Sequence, residues 1–107
     1  MKLVTAIINK KDAKEVCKEL TKSGYQFTKT ASTGGFLSTG NITIIMGVND
    51  ELLPDALAII RNHSCQRVES ISTLPGIELP TSIEYPIDVV VGGAVVFVTN
   101  VEYFEKM

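Results

Sequence analysis

Between Gln26 and Val48 the chain reads QFTKTASTGGFLSTGNITIIMGV. This is a strand, a glycine turn and a second strand, and the rest of the chain has to be arranged around it. Two adjacent glycines, Gly34 and Gly35, admit backbone conformations closed to other residues and bring bare N–H groups close to a ligand. Consecutive N–H groups in such a turn form an anion-holding concavity. Phe36, directly after them, offers a flat face to a base. The alternative is a tight hairpin that needs glycine, with Phe36 packed as core. A glycine pair is a weak signal by itself, and neither Walker nor dinucleotide-fold spacing accompanies it.

The rest of the composition narrows the class. A chain of 107 residues is expected to form a single domain, 1–107, that buries a modest core. Hydrophobic residues make up 45% and tryptophan is absent, which fits a folded chain rather than a disordered one. A net charge of −2 offers no broad attraction to a nucleic-acid polymer or a membrane surface. Cys17 and Cys65 lie far apart and match no metal or redox spacing, so both are expected as reduced, buried thiols. The start, MKLVT, lacks a secretory apolar region, and no apolar run approaches bilayer length, so a cytoplasmic location is expected.

Taken in order, Lys2 to Ile8 is strand-like and apolar on both faces. Asp12 is expected to cap a helix over residues 12–23, with Glu15 completing a capping box. Ala13, Val16, Cys17 and Leu20 form its apolar stripe, and Gly24 ends it as a left-handed cap. Lys14, Lys18 and Lys22 lie off that stripe, on a face expected only to be solvated. The second strand runs from Tyr25 to Ser32. The third carries Ile42, Ile44, Met46 and Val48 on one face, with Thr43, Ile45 and Gly47 on the other. Gly47 inside a strand marks either a bulge or the close approach of a ligand. Asn49-Asp50 is expected to cap a second helix with Leu52, Leu53, Ala56, Leu57, Ile59 and Ile60 as its apolar stripe, ending near His63. Arg67 to Ser72 reads as a short strand or arm, and Thr73 to Pro86, with its three prolines, as a loop. The last strand, Ile87 to Thr99, is split by Gly92-Gly93, where a bulge or bend is expected.

Strand, helix, strand, strand, helix, strand is the split βαβ, or ferredoxin-like, arrangement: an α+β sandwich with a four-stranded antiparallel sheet and two helices on one face. Two helices cover only one side of such a sheet, yet its first, third and last strands are apolar on both. A monomer would expose a large apolar face. A homo-oligomer with facing sheets is therefore expected, with ligand sites in the clefts between subunits.

The start MKLVTAI, the segment TKTASTGGFLSTGN, the GVND before the second helix and the segment YPIDVVVGGAVVFV resemble the PII-like receptors of cyclic di-AMP of Gram-positive bacteria. The likeness runs through nearly the whole chain. It implies a homotrimer of ferredoxin-like subunits that binds one cyclic dinucleotide in each cleft and relays its level through flexible loops to a downstream protein. Carried onto this chain, the pocket falls on Thr28, Gly35, Phe36, Leu37, Asn41 and Gly47, with Gly92 and Gly93 approaching from the adjoining subunit. Asn41 has the donor and acceptor that suit an adenine edge. Thr28 and the N–H groups near Gly35 suit phosphate oxygens, and Phe36 and Leu37 can flank a purine. Gln26 stands beside this pocket where the family carries an arginine, so a neutral hydrogen bond replaces a charge-assisted one.

Other functions fit less well. A PII-like trimer whose pocket takes another nucleotide or anion is the nearest alternative, because of Gln26. A PII protein sensing ATP and 2-oxoglutarate would need basic residues that have no counterpart here. A small ferredoxin-like enzyme would need a base beside Ser or Thr, and the single histidine, His63, lies elsewhere in the chain. A metal-binding trimer would need a Cys/His cluster, and Asp50, Glu51 and Asp55 read better as charge at a helix start. Neither a catalytic residue, a metal nor a cofactor is expected; the resemblance implies cyclic di-AMP as the ligand.

Overall fold

In a computed structural model, the backbone is described for residues 1–34, 37–71 and 87–107, and the side chains for those outside 32–39 and 69–89. The first strand, β1 (Lys2–Asn9), sorts its residues by parity: Val4, Ala6 and Ile8 are fully buried, while Leu3, Thr5 and Ile7 are half-buried. Helix α1 (Lys10–Lys22) begins two residues earlier than Asp12, the expected cap. Asn9 caps it instead, its side-chain oxygen accepting from the Lys11 backbone N–H at 2.9 Å. The capping box of Asp12 and Glu15 is thereby corrected, and the Asp12 carboxylate is used elsewhere. At the other end Gly24 adopts φ +88°, the Gly24 N–H bonds to the Thr21 carbonyl and the Tyr25 N–H to the Leu20 carbonyl. That pair of bonds is a Schellman motif, and it requires the left-handed residue that glycine supplies.

Strand β2 spans Thr28–Gly34 rather than starting at Tyr25. Tyr25 is held back by the helix-ending bond. Its hydroxyl also donates to the Asp55 carboxylate at 2.7 Å, pinning this corner to the second helix. Strand β3 (Leu37–Val48) is longer than expected, since Thr39, Gly40 and Asn41 belong to the strand and not to the turn. A short 3-10 turn, Asp50–Leu52, leads into α2 (Leu53–His63), with Pro54 in the first turn, where its missing N–H costs nothing. Asn49 makes no side-chain cap, and Asp50 pairs with the N-terminal ammonium at 3.0 Å.

The expected last strand is two strands in two sheets. β4 (Arg67–Ile71) pairs antiparallel with β5 (Ile87–Val91) as a separate two-stranded arm. The chain then turns through Gly92 (φ +79°) and Gly93 (φ +99°), and β6 (Ala94–Asn100) joins the main sheet beside β1. Two successive positive φ values make the break a bend, one of the two forms expected there, and carry the chain from one sheet into the other. The main sheet has the order β2-β3-β1-β6 and is antiparallel throughout, the ferredoxin-like order, with the helix side formed by the Val4, Ala6, Ile8, Ile44 and Met46 set. The loop expected over 73–86 lies outside the described residues. Cys17 is buried as expected, but Cys65 is exposed on the segment between α2 and β4.

Burial, then the hydrogen bond and charge of Asp55, push the Tyr25 phenol from 10.0 up to about 12. A raised folded pKa means the stabilisation is complete below the ordinary phenol value and is lost as the pH climbs through the folded one. Tyr25→Phe is expected to flatten the alkaline loss of stability between pH 10 and about 12, read by chemical denaturation across pH. An unchanged alkaline slope would contradict the Tyr25–Asp55 contact.

Candidate functional site

One end of the main sheet gathers most of what the sequence singled out. In register, Asn9 lies opposite Asn41, Ser32 lies opposite Asn41 from the other side, and Ile8 lies opposite Ala94. The Ser32–Asn41 pair of β2 and β3, the start of α1 and the Gly92-Gly93 break therefore lie at the same end. The arm β4–β5 leaves from the same place.

The chemistry that fixes this end is a buried carboxylate that sequence reasoning had assigned to a helix cap. Asp12 is only 6% exposed. One of its oxygens accepts from the Gly93 N–H at 2.7 Å, and the other takes the Arg67 guanidinium at 2.9 Å. Arg67 also donates to the Cys65 carbonyl at 3.2 Å, and the Gly93 carbonyl accepts from the Asn9 N–H at 2.9 Å. A buried carboxylate persists only with such donors. A Cβ at Gly92 would fall 2.5 Å from both the Arg67 Nη1 and the Cys65 oxygen, and 2.7 Å from Asp12 Oδ2. Gly92 is glycine because this clamp fills the space a side chain needs. Nothing in the local sequence around Asp12 announces this role, because its partners are 55 and 81 residues away.

Each expected ligand residue has a definite place, with two exceptions. Gly35 and Phe36 lie outside the described residues, and of Leu37 only the backbone, opening β3, is described. Asn41 is buried, 4% exposed, at the clamped end of the sheet. Thr28 is exposed and pairs with Ile45, next along β3 from the exposed Gly47, and Gln26 is exposed two residues before β2. Gly47 has room: an added Cβ would meet the Met1 sulfur at an ordinary 3.5 Å. The structure thus makes two groups. Asn41, Gly92 and Gly93 come together at the clamped end; Thr28 and Gly47 sit further along the β2–β3 edge. Four residue steps separate the Asn41 and Thr28 levels, roughly 14 Å at strand rise.

The face of the sheet away from the helices carries no covering element of the chain among the described residues. Thr28, Ile45, Thr5 and Phe97 stand in one register row across all four strands there. Ile45 is 44% and Phe97 46% exposed. On the helix side, burial raises the Cys17 thiol pKa, partly offset by the Lys29 charge, so Cys17 is a poor nucleophile. Among the described residues no group of three His, Cys, Asp or Glu side chains could hold a metal, and no helix is long and apolar enough to cross a membrane.

The family model described as cyclic-di-AMP receptor matches residues 1–107. The chain belongs to the cyclic-di-AMP receptor family. It is also similar to a crystal structure from Pediococcus pentosaceus, described as that of a functionally unknown protein, with 39% identity, a TM-score of 0.77, and coverage of 99% of this chain and 96% of that one. Membership in the cyclic-di-AMP receptor family makes this a chain of a nucleotide-binding, signalling family, and it bears out the resemblance carried by TKTASTGGFLSTGN and VVVGGAVVFV. The Asp12–Gly93–Arg67 clamp then gains a meaning for this receptor chain, since it sets the backbone of two glycines that the resemblance places beside a ligand.

Asp12→Ala is expected to cost about 3 kcal/mol, because it strands the Gly93 N–H and the Arg67 guanidinium. Hydrogen exchange at the Gly93 amide should accelerate in parallel. A fully stable variant with unchanged Gly93 exchange would contradict the clamp.

Proposed function

We propose that the protein is a non-enzymatic receptor that binds cyclic di-AMP in the clefts between the subunits of a cytoplasmic homotrimer and passes the nucleotide signal to a downstream protein through its loops. The full-length family match is the observation that carries this reading. The uncovered sheet face supports the oligomer: large apolar side chains such as Ile45 and Phe97, each more than 40% exposed on it, are costly for a lone chain. Facing sheets would cover it. The separation of the two groups of ligand residues supports a cleft site, because groups at different levels of one sheet can serve one ligand when neighbouring subunits supply them.

Within that cleft, Thr28 and the N–H groups near Gly35 hold phosphate oxygens, Asn41 reads an adenine edge, and Phe36 and Leu37 flank a purine. Gly47 leaves space on the sheet, and the clamped Gly92-Gly93 backbone closes the pocket from the adjoining subunit. Gln26 favours a second reading, a trimer of the same build whose pocket prefers another nucleotide or anion, since an arginine is missing beside the phosphates.

Isothermal titration with cyclic di-AMP, with cyclic di-GMP and ATP as controls, separates the two. Selective binding near one ligand per subunit is expected. Phe36→Ala and Asn41→Ala should each weaken it by roughly tenfold or more while leaving the oligomer intact, the loss of one stacking or edge contact being about 1–3 kcal/mol. Gln26→Arg should tighten it by about tenfold. Absence of binding to any of the three ligands would overturn the cyclic di-AMP reading. A clean monomer by light scattering would overturn the trimer.

A further inference from the structure

A groove of about 870 Å³ runs between α1 and the edge strand β2, on the helix side of the sheet and so opposite the uncovered face. Its floor is apolar: Ala13 and Cys17 from the helix, Phe27 and Ile42 from the sheet side. Its rim is basic. Lys10, Lys14 and Lys18 line it from α1, and Lys29 from β2. All four are exposed, and none forms a salt bridge with a described residue.

The charge segregation is sharp. The chain carries 12 acidic and 10 basic residues, yet among the described residues the groove takes four lysines and no carboxylate. At 100° per residue, Lys10, Lys14 and Lys18 follow one another along the helix edge facing β2, while Asp12, Glu15 and Glu19 fall on the other edge. The lysines are spaced four residues apart, so they form a line about 12 Å long rather than converging on one point. A compact anion needs convergent charges. A line of cations over an apolar floor fits a linear polyanion with apolar side chains of its own. Nucleic acid lacks those side chains. A second copy of this chain is disfavoured too, since facing sheets would leave this side outward.

We infer that the α1–β2 groove is the docking surface for an acidic, amphipathic segment of another protein. Its carboxylates pair with Lys10, Lys14, Lys18 and Lys29, and its apolar residues rest on Phe27, Cys17 and Ile42. The surface stands on the groove itself; it rests on the receptor reading only in identifying that protein as the downstream target. β2 then links the two, because Thr28 pairs with Ile45 on the proposed ligand side while Lys29 and Ala31 line the groove.

The test is site-specific photo-crosslinking in cells, with a benzophenone amino acid at Thr21, which lines the groove, and a control at Lys22, which does not. The expected result is a Thr21 adduct whose cross-linked peptide, sequenced by mass spectrometry, comes from another protein and carries several Asp or Glu residues interleaved with apolar ones. Lys14→Glu with Lys18→Glu should reduce that adduct by about tenfold or more, as charge reversal at a complementary surface does. The same double variant should keep its fold and its calorimetric affinity for cyclic di-AMP, so a failed ligand reading would show in the calorimetry and a failed docking reading in the adduct. An adduct to a second copy of this chain, an adduct to nucleic acid, a peptide without acidic residues, or no adduct above the Lys22 control would each overturn the proposal.

Discussion

The architecture of this chain depends on one buried carboxylate. Asp12 sits on the first turn of α1 and is nearly sealed from water, so its charge has to be answered by donors within the protein. Those donors come from the point where the chain passes from the arm into the main sheet, and from the foot of the arm itself. Helix, arm and sheet are tied at one atom group. The glycines follow from it, since at Gly92 any side chain would collide with the carboxylate or its partners. Asn41 of β3 reaches the same end because it lies opposite Asn9, the cap of α1.

A second constraint is one of coverage. Two helices shield one face of the four-stranded sheet and leave the other without a partner among the described residues. Parity along the strands settles which side chains go where: Val4, Ala6 and Ile8 enter the core, while Thr5, Ile45 and Phe97 form a row on the opposite face. Functional readings divide along the same plane. Thr28, Gly47 and the proposed nucleotide cleft belong to the uncovered face. The lysine-rimmed groove belongs to the helix side, which the proposed facing of sheets leaves outward.

Much of this was legible in the residues. Apolar alternation in β1 and β3 and the helical spacing of Ala13, Val16, Cys17 and Leu20 are local signals, and they located the core, the element order and the fold class. The TGGFL and VGGA segments pointed to the family that the full-length match shows. What was not legible is non-local. Asp12 looks like a helix cap because capping is a short-range pattern, whereas its true partners, Gly93 and Arg67, are distant in the chain. The break at Gly92-Gly93 was visible, but a glycine pair cannot reveal that the strands on its two sides enter different sheets. Cys65 was expected buried on residue type alone, and its neighbours place it in an exposed connection. The lysines of α1 read as a solvated face because the opposite wall of their groove, Phe27 and Lys29, belongs to another element.

The central claim is that cyclic di-AMP binds where the clamped end of the sheet meets the β2–β3 turn. Hydrogen exchange followed by mass spectrometry, with and without saturating cyclic di-AMP, tests it most directly. The account predicts ligand-dependent protection concentrated in peptides covering residues 28–41 and the Gly92-Gly93 segment, with α2 unchanged. Protection confined to other peptides, or no change at all in a sample shown to hold the ligand, would contradict it.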